Sequence, residues 1–173
     1  VCAFDRLEKA NWWEILKQLP PSWISTSFLQ VLTLCETESD HHLFLERAQS
    51  WGHEQTRRAS QHSLPPLTSL ISLSSNQPLR IGFVSADFRD HSVARFIWPL
   101  FEHLDRTRFS LFCYSTYCVK DAWRARFEAS ATAIRDVAAL SPQELCQTIR
   151  ADDIHVLFDL TGFTNGSRTA SFA

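Results

Sequence analysis

Methionine is absent from the 173 residues and glycine occurs only four times. Glycine this scarce excludes the loops that wrap phosphates in backbone N–H groups. Neither a G-x-G-x-x-G fingerprint nor a G-x-x-x-x-G-K-[ST] run is present. Long apolar stretches are missing as well. No segment approaches the roughly 18 apolar residues of a membrane span, so no membrane partner is expected. VCAFDRLEKANWW lacks the basic start and apolar stretch of a signal peptide. Runs of like charge are also lacking: the net charge is −2 and the basic residues are scattered, which gives no electrostatic case for a nucleic-acid partner. The five cysteines are odd in number and show no paired C-x-x-C spacing, arguing against a zinc site and a disulfide framework. Reduced thiols in a cytoplasmic protein are expected. With Val at position 1, no methionine, and an end at TASFA inside an apparent loop, the sequence reads as a piece of a longer polypeptide.

What is present is a generous supply of core material: hydrophobic residues make up 45%, with thirteen Phe and six Trp. Residues 1–61 read as helical. DRLEKANWWEILKQL carries Leu7, Trp12, Ile15, Leu16 and Leu19 at roughly helical spacing before Pro20-Pro21. SFLQVLTLC is a short apolar segment, helical by context. SDHHLFLERAQSWGHEQTRRA is a longer amphipathic helix with Asp40 as its N-cap. Trp12, Trp13 and Trp51 are read as packing between helices. This part could be the end of a tetratricopeptide-like region, although no period is visible in a single copy. Residues 62–78, with three prolines and five serines, read as a linker.

From Leu79 the texture changes. LRIGFVSA, FSLFCYST, TAIRDVA and IHVLFDL read as strands, the last apolar on both faces except for His155 and Asp159. SVARFIWPLFEHLD, DAWRARFEAS and SPQELCQTIRA read as the helices between them, with Pro99 either kinking the first or near its start. Asp121 is the expected cap of the second, and Ser141 with Glu144 forms a capping box on the third. Alternating strands and helices predict a Rossmann-like α/β domain with a parallel sheet over residues 79–173, preceded by the helical segment.

Ligands of such sheets bind at the carboxyl ends of the strands. SADFRDHS follows the first strand and DLTGFTNGS the fourth, which puts Asp87, Asp90, His91 and Asp159 on one rim. His91 sits at a helix start, where partial positive charge favours neutral imidazole. Such a group accepts a proton or hydrogen bond from a substrate hydroxyl; equally, it could simply cap or pack. Asp159 ends an apolar strand, so its carboxylate needs a partner. It could serve acid/base work, hold a sugar hydroxyl, or bond the Thr161-Gly162 backbone. Asp87 could orient His91 but is more simply a helix cap, and Arg89 and Arg95 are more simply solvated charge than holders of a phosphate or acidic peptide. His41-His42 beside Asp40 is rejected as a metal site, since adjacent helical residues diverge. Cys113 alternates with Phe112 and Tyr114 and is expected in the core.

LRIGFVSADFRDHSVARFIWPLFEHLDRTRFSLFCYS and IRADDIHVLFDLTGFTNGSR resemble the amino-terminal catalytic lobe of the SPINDLY-like and protein O-GlcNAc transferase family. There a V-S-x-D-F-x-x-H run follows the first strand and a D-L-x-G-[HY]-T run a later one. The match covers residues 79–173 nearly end to end, and DHSV is closer to the SPINDLY-like branch than to the H-P form of animal members. The resemblance implies a two-lobed GT-B glycosyltransferase, often preceded by tetratricopeptide repeats. It would transfer N-acetylglucosamine or a related sugar from a nucleotide-diphosphate donor such as UDP-GlcNAc to Ser or Thr hydroxyls of protein or peptide acceptors, inverting and without a metal or other cofactor. By position, His91 and Asp159 match catalytic-pocket residues, and Asp87, Asp90, Thr161, Gly162 and Phe163 fall where substrate binds. Two departures stand out. Phe163 replaces the usual His or Tyr, so a ring can wall the pocket but no proton can move there. The carboxyl-terminal lobe, which in the family holds the nucleotide and neutralises the leaving diphosphate, is not in this stretch; the stretch alone is expected to be inactive. The alternatives are a non-catalytic interaction module built on its Trp-rich helices, and a different nucleotide-binding α/β enzyme, disfavoured by the missing phosphate loop.

Overall fold

The computed structural model describes Glu14, Gln18 and residues 31–33, 35–61, 77–164 and 166–172. Apart from Glu14 and Gln18, the expected first helix with Trp12 and Trp13 lies outside the described residues, as do most of SFLQVLTLC and all but the end of the 62–78 linker. Two compact units divide the chain, Val1–Glu54 and Gln55–Ala173.

Helix α1 spans Glu38–Gln61. Phe44, Ala48 and Trp51 recur at helical spacing and form an apolar stripe that packs with Val31 and Cys35. Its start corrects one expectation. Thr37 is the capping residue: its hydroxyl accepts the Asp40 N–H at 3.2 Å. Asp40 instead reaches back to the Thr37 N–H at 2.9 Å. The pair is a reciprocal capping box, with Asp40 in the first turn.

In the second unit the strands are β1 (Leu79–Ser85), β2 (Phe109–Ser115), β3 (Ala133–Asp136) and β4 (Val156–Asp159). The helices are α2 (Ser92–His103), α3 (Ala122–Ser130) and α4 (Pro142–Ala151), followed by a 3-10 turn at Thr169–Ser171. All pairings are parallel and the strand order is β3-β2-β1-β4. The α/β fold and parallel sheet expected from the sequence are therefore present. Caps account for the helix starts. Asp121 accepts the Arg124 N–H at 2.8 Å, and Ser141 and Glu144 form the expected reciprocal box with Pro142 at the first helical position.

The period-two alternation of β1 and β2 sorts side chains to two cores. Ile81, Phe83, Leu111 and Cys113 face α2 and α3, against Phe101 and Phe127. Phe101 and Phe127 meet edge to face with centroids 5.0 Å apart. Burying rings of this size contributes about 2 kcal/mol each. Val84, Phe112 and Tyr114 turn the other way, onto Val137 and Leu145 of the α4 side. Gly82 lies on this side because nothing larger fits: a Cβ there would meet Leu157 Cδ1 at 2.8 Å.

β4, read from the sequence as apolar on both faces, is not buried on both. It is an edge strand; Leu157 packs on the α4 core, whereas Val156 and Phe158 are 39% and 47% exposed. On the opposite face Phe158 stacks on the Phe83 ring, centroids 5.4 Å apart, at the margin of the core that α2 and α3 cover.

The amino-terminal edge of the sheet is closed by polar bonds. Asp152, buried at the end of α4, accepts from Tyr114 Oη at 2.8 Å and Arg135 Nε at 2.7 Å. Its carbonyl oxygen accepts from Arg80 Nε at 2.6 Å. The carboxyl-terminal edge is open.

Candidate functional site

β1 runs forward into α2 and β2 on one side, while β4 returns to its other side. The crevice between the loops after β1 and β4 is thus the topological switch point, where ligands of open α/β sheets bind. A cleft of about 490 Å³ opens there. Three loops line it: Asp87, Arg89 and His91 after β1, Thr116 and Tyr117 after β2, and Leu160, Thr161, Thr164 and Gly166 after β4.

Backbone bonds hold these loops together. The Thr116 N–H donates to Ser85 O at 2.9 Å and the Leu160 N–H to Val84 O at 3.0 Å, continuing the ladders past the strands. The Ala86 N–H donates to Thr161 Oγ1 at 3.2 Å, tying the first loop to the last. Gly166, at φ +87°, closes over Thr116 and Ala86 so tightly that a Cβ would sit 3.0 Å from Thr116 Oγ1.

Asp87 is 7% exposed. A carboxylate this buried needs compensation. Arg89 supplies it through an ion pair at 3.1 Å, while Arg89 Nε also donates to Ala86 O at 3.3 Å. The second carboxylate oxygen lies 3.4 Å from His91 Nδ1. Asp87 is therefore no helix cap. That place belongs to His91, whose Nδ1 lies 3.3 Å from the Val93 N–H it accepts.

Two tautomers of neutral His91 follow. With the lone pair on Nδ1, the ring accepts the Val93 N–H and Nε2 is a donor. With the proton on Nδ1, the ring donates to Asp87 and Nε2 becomes a base. The Val93 N–H favours the first form and the Asp87 carboxylate the second. Capping and chemistry, alternatives in the sequence, are both open to this side chain.

The other sequence-derived site residues divide. Thr161 lines the cleft with Asp87 and His91. Asp159 Oδ1 accepts the Thr161 and Gly162 N–H groups at 2.9 and 3.0 Å, shaping the loop from beneath, and the side chain does not line the cleft. Gly162, at φ +54°, completes that turn. Asp90 points outward, its carboxylate paired with Arg95 and its N–H donating to Asp121 Oδ2 at 2.7 Å. Phe163 is 37% exposed and does not line the cleft. Thr116 and Tyr117 were not expected. The rule that found the loops after β1 and β4 applies equally to β2, which pairs with β1 along its length. Among the described residues no group of three or more His, Cys, Asp or Glu side chains is placed to hold a metal ion, and no helix is long and apolar enough to cross a membrane.

The profile of glycosyl transferase family 41 matches residues 58–173. The chain belongs to this family. Its relatives include the probable UDP-N-acetylglucosamine–peptide N-acetylglucosaminyltransferase SEC of Arabidopsis thaliana, 31% identical over 137 residues, covering 76% of this chain and 14% of the relative. The probable enzyme of the same title named SPINDLY, also from Arabidopsis thaliana, is 30% identical and covers 78% of this chain and 15% of the relative. Among solved structures, a mutant O-GlcNAc transferase of Thermobaculum terrenum matches with a TM-score of 0.61 and 34% identity, over 77% of this chain and 24% of that one. The resemblance read from the two motifs is confirmed, and the family 41 chain described here spans a small part of the length of these relatives.

Proposed function

We propose that this chain is the amino-terminal lobe of the catalytic region of a protein O-glycosyltransferase, forming the acceptor side of its cleft. The reaction is transfer of N-acetylglucosamine or a related sugar from a nucleotide-diphosphate donor to a Ser or Thr hydroxyl. The observation that carries this reading is the Asp87–His91 pair, 3.4 Å apart at the switch-point cleft of a family 41 chain.

Asp87 holds the Nδ1 proton, which leaves Nε2 of His91 as the base. The acceptor oxygen attacks the anomeric carbon, its proton passes to Nε2, and the bond to the diphosphate breaks. Attack from the side opposite the leaving group inverts the anomeric centre. Charge builds on the diphosphate as it leaves and needs donors to meet it. Asp159 acts as a positioning residue, since one of its oxygens is committed to the loop backbone. A second, carboxyl-terminal lobe in a GT-B arrangement supplies the nucleotide site, and the reaction needs no metal. In this reading residues 173 and earlier are inactive alone. A cytoplasmic setting is part of this reading.

The test is direct. The natural gene product carrying this sequence is incubated with UDP-GlcNAc, a Ser/Thr-containing peptide and a chelator, and the peptide is weighed by mass spectrometry. Addition of one N-acetylhexosamine in β linkage supports the reading. No sugar from this or the related nucleotide donors, or transfer that the chelator stops, contradicts it.

A further inference from the structure

We propose that Tyr117 is a sugar-binding residue, its ring forming the stacking wall of the cleft for a pyranose of gluco configuration. This rests on the glycosyl-transfer reading and names how the sugar is held.

The residue follows β2, at the carboxyl edge of the sheet, and lines the same cleft as His91 and Thr161. It is 54% exposed. An exposed aromatic of this size that lines a polar cleft offers a ligand an apolar surface there. Its position is fixed twice. The buried Ser115 hydroxyl donates to its carbonyl oxygen at 2.9 Å. The Arg89 guanidinium lies over the ring, 5.3 Å from the centroid. Arg89 is in turn held by Asp87, so one carboxylate organises both the stacking wall and the His91 base.

Sugar chemistry fits this arrangement. A pyranose whose substituents are equatorial turns axial C–H bonds to both of its faces, each an apolar surface with slight positive charge. Such a surface matches the negative face of an aromatic ring. Hydroxyls around the edge need partners of both kinds. His91 offers Nε2. Thr161 Oγ1 accepts the Ala86 N–H and keeps its own hydrogen to donate. Thr164 donates to Thr161 O at 2.7 Å and keeps lone pairs to accept. An axial hydroxyl at C4 breaks one of these faces, so a wall against the face carrying H4 discriminates between epimers there.

The experiment compares Tyr117→Ala and Tyr117→Phe with the parent in the natural gene product, using UDP-GlcNAc and UDP-GalNAc as donors. The alanine variant is expected to raise KM for UDP-GlcNAc about tenfold, with kcat changed much less, and to narrow the preference for UDP-GlcNAc. The phenylalanine variant keeps the ring and is expected to match the parent. Unchanged KM in Tyr117→Ala overturns the inference while leaving the transfer reading standing. Equal losses in both variants place the effect on the hydroxyl and overturn stacking. If the parent transfers no sugar, the transfer reading fails on its own. Saturation-transfer NMR of this chain with methyl N-acetyl-β-glucosaminide then decides. Saturation of the ring protons that disappears in Tyr117→Ala supports the wall, and none in the parent removes it.

Discussion

His91 Nδ1 lies 3.4 Å from Asp87 Oδ2 and 3.3 Å from the Val93 nitrogen, so a carboxylate and an N–H donor compete for one ring nitrogen. An aspartate accepts the Nδ1 proton and leaves Nε2 basic. An asparagine can do the reverse: its carbonyl faces Arg89 while its NH2 donates to Nδ1, locking Nε2 as a donor. Asp87→Asn is therefore expected to lower kcat for sugar transfer on the order of 10²-fold or more. Donor KM should rise as well, because Asp87 also holds Arg89 over the Tyr117 ring, and the melting temperature should change little. Steady-state kinetics and a thermal melt check this together, and a parent-like kcat removes the base assignment.

Asp159 has a different expected signature. Alanine at this position leaves the Thr161 and Gly162 N–H groups without their acceptor. A cost on the order of 2 kcal/mol in stability follows, with a looser cleft loop. Asparagine retains a carbonyl oxygen able to accept both bonds and should recover most of the loss. Urea denaturation of the two variants measures the difference; equal destabilisation contradicts the role given to the carbonyl-type acceptor.

Thr116 Oγ1 is buried and has no hydrogen-bond partner among the described residues. Replacing a hydroxyl in that state by a methyl group removes an unmet desolvation cost. Thr116→Val keeps the branched shape under Gly166 and is expected to hold or raise the melting temperature. Calorimetry decides, and a clear loss of stability means the hydroxyl has a partner in solution.

Acid should weaken the fold through named carboxylates. The hydrogen bond from the buried Arg124 guanidinium holds Asp136 below its ordinary value of 3.8. Burial works against ionisation of Asp152, but Arg135 and Tyr114 outweigh it and leave that carboxyl below 3.8 as well. Both groups bind a proton less readily folded than unfolded. Their contribution is complete well above 3.8 and is lost as pH falls through the depressed folded values. Melting temperature against pH should stay level from neutrality into mild acid, then drop. Asp136→Asn should lie below the parent at neutral pH and converge with it in strong acid; a constant gap contradicts the linkage.

Much of this was legible in the sequence, for identifiable reasons. Helix starts at Asp121 and Ser141 were readable because a cap is a local device, written in residues three apart. The loops carrying His91 and Thr161 were readable because parallel strands put every carboxyl end on one edge. The directions of side chains were not. Asp90 turns to Arg95 and Asp121, and Asp159 turns inward to its own loop, through bonds that depend on where the neighbouring chain passes. The exposure of Phe158 escaped the sequence too, because an apolar strand reads alike at the centre and at the edge of a sheet. Tyr117 was missed for a simpler reason: the carboxyl-edge rule was applied to the loops after β1 and β4, not to β2.

The measurement that bears most directly on the account is the transfer rate of His91→Asn in the natural gene product. Asparagine is a good N-cap and can still accept the Val93 N–H, so α2 keeps its start. What it lacks is a base. Sugar transfer from UDP-GlcNAc to a Ser/Thr peptide is expected to fall about 10²-fold or more, with the melting temperature close to that of the parent. A stable variant that transfers sugar at the parent rate contradicts the central claim that His91 takes the acceptor proton in this cleft.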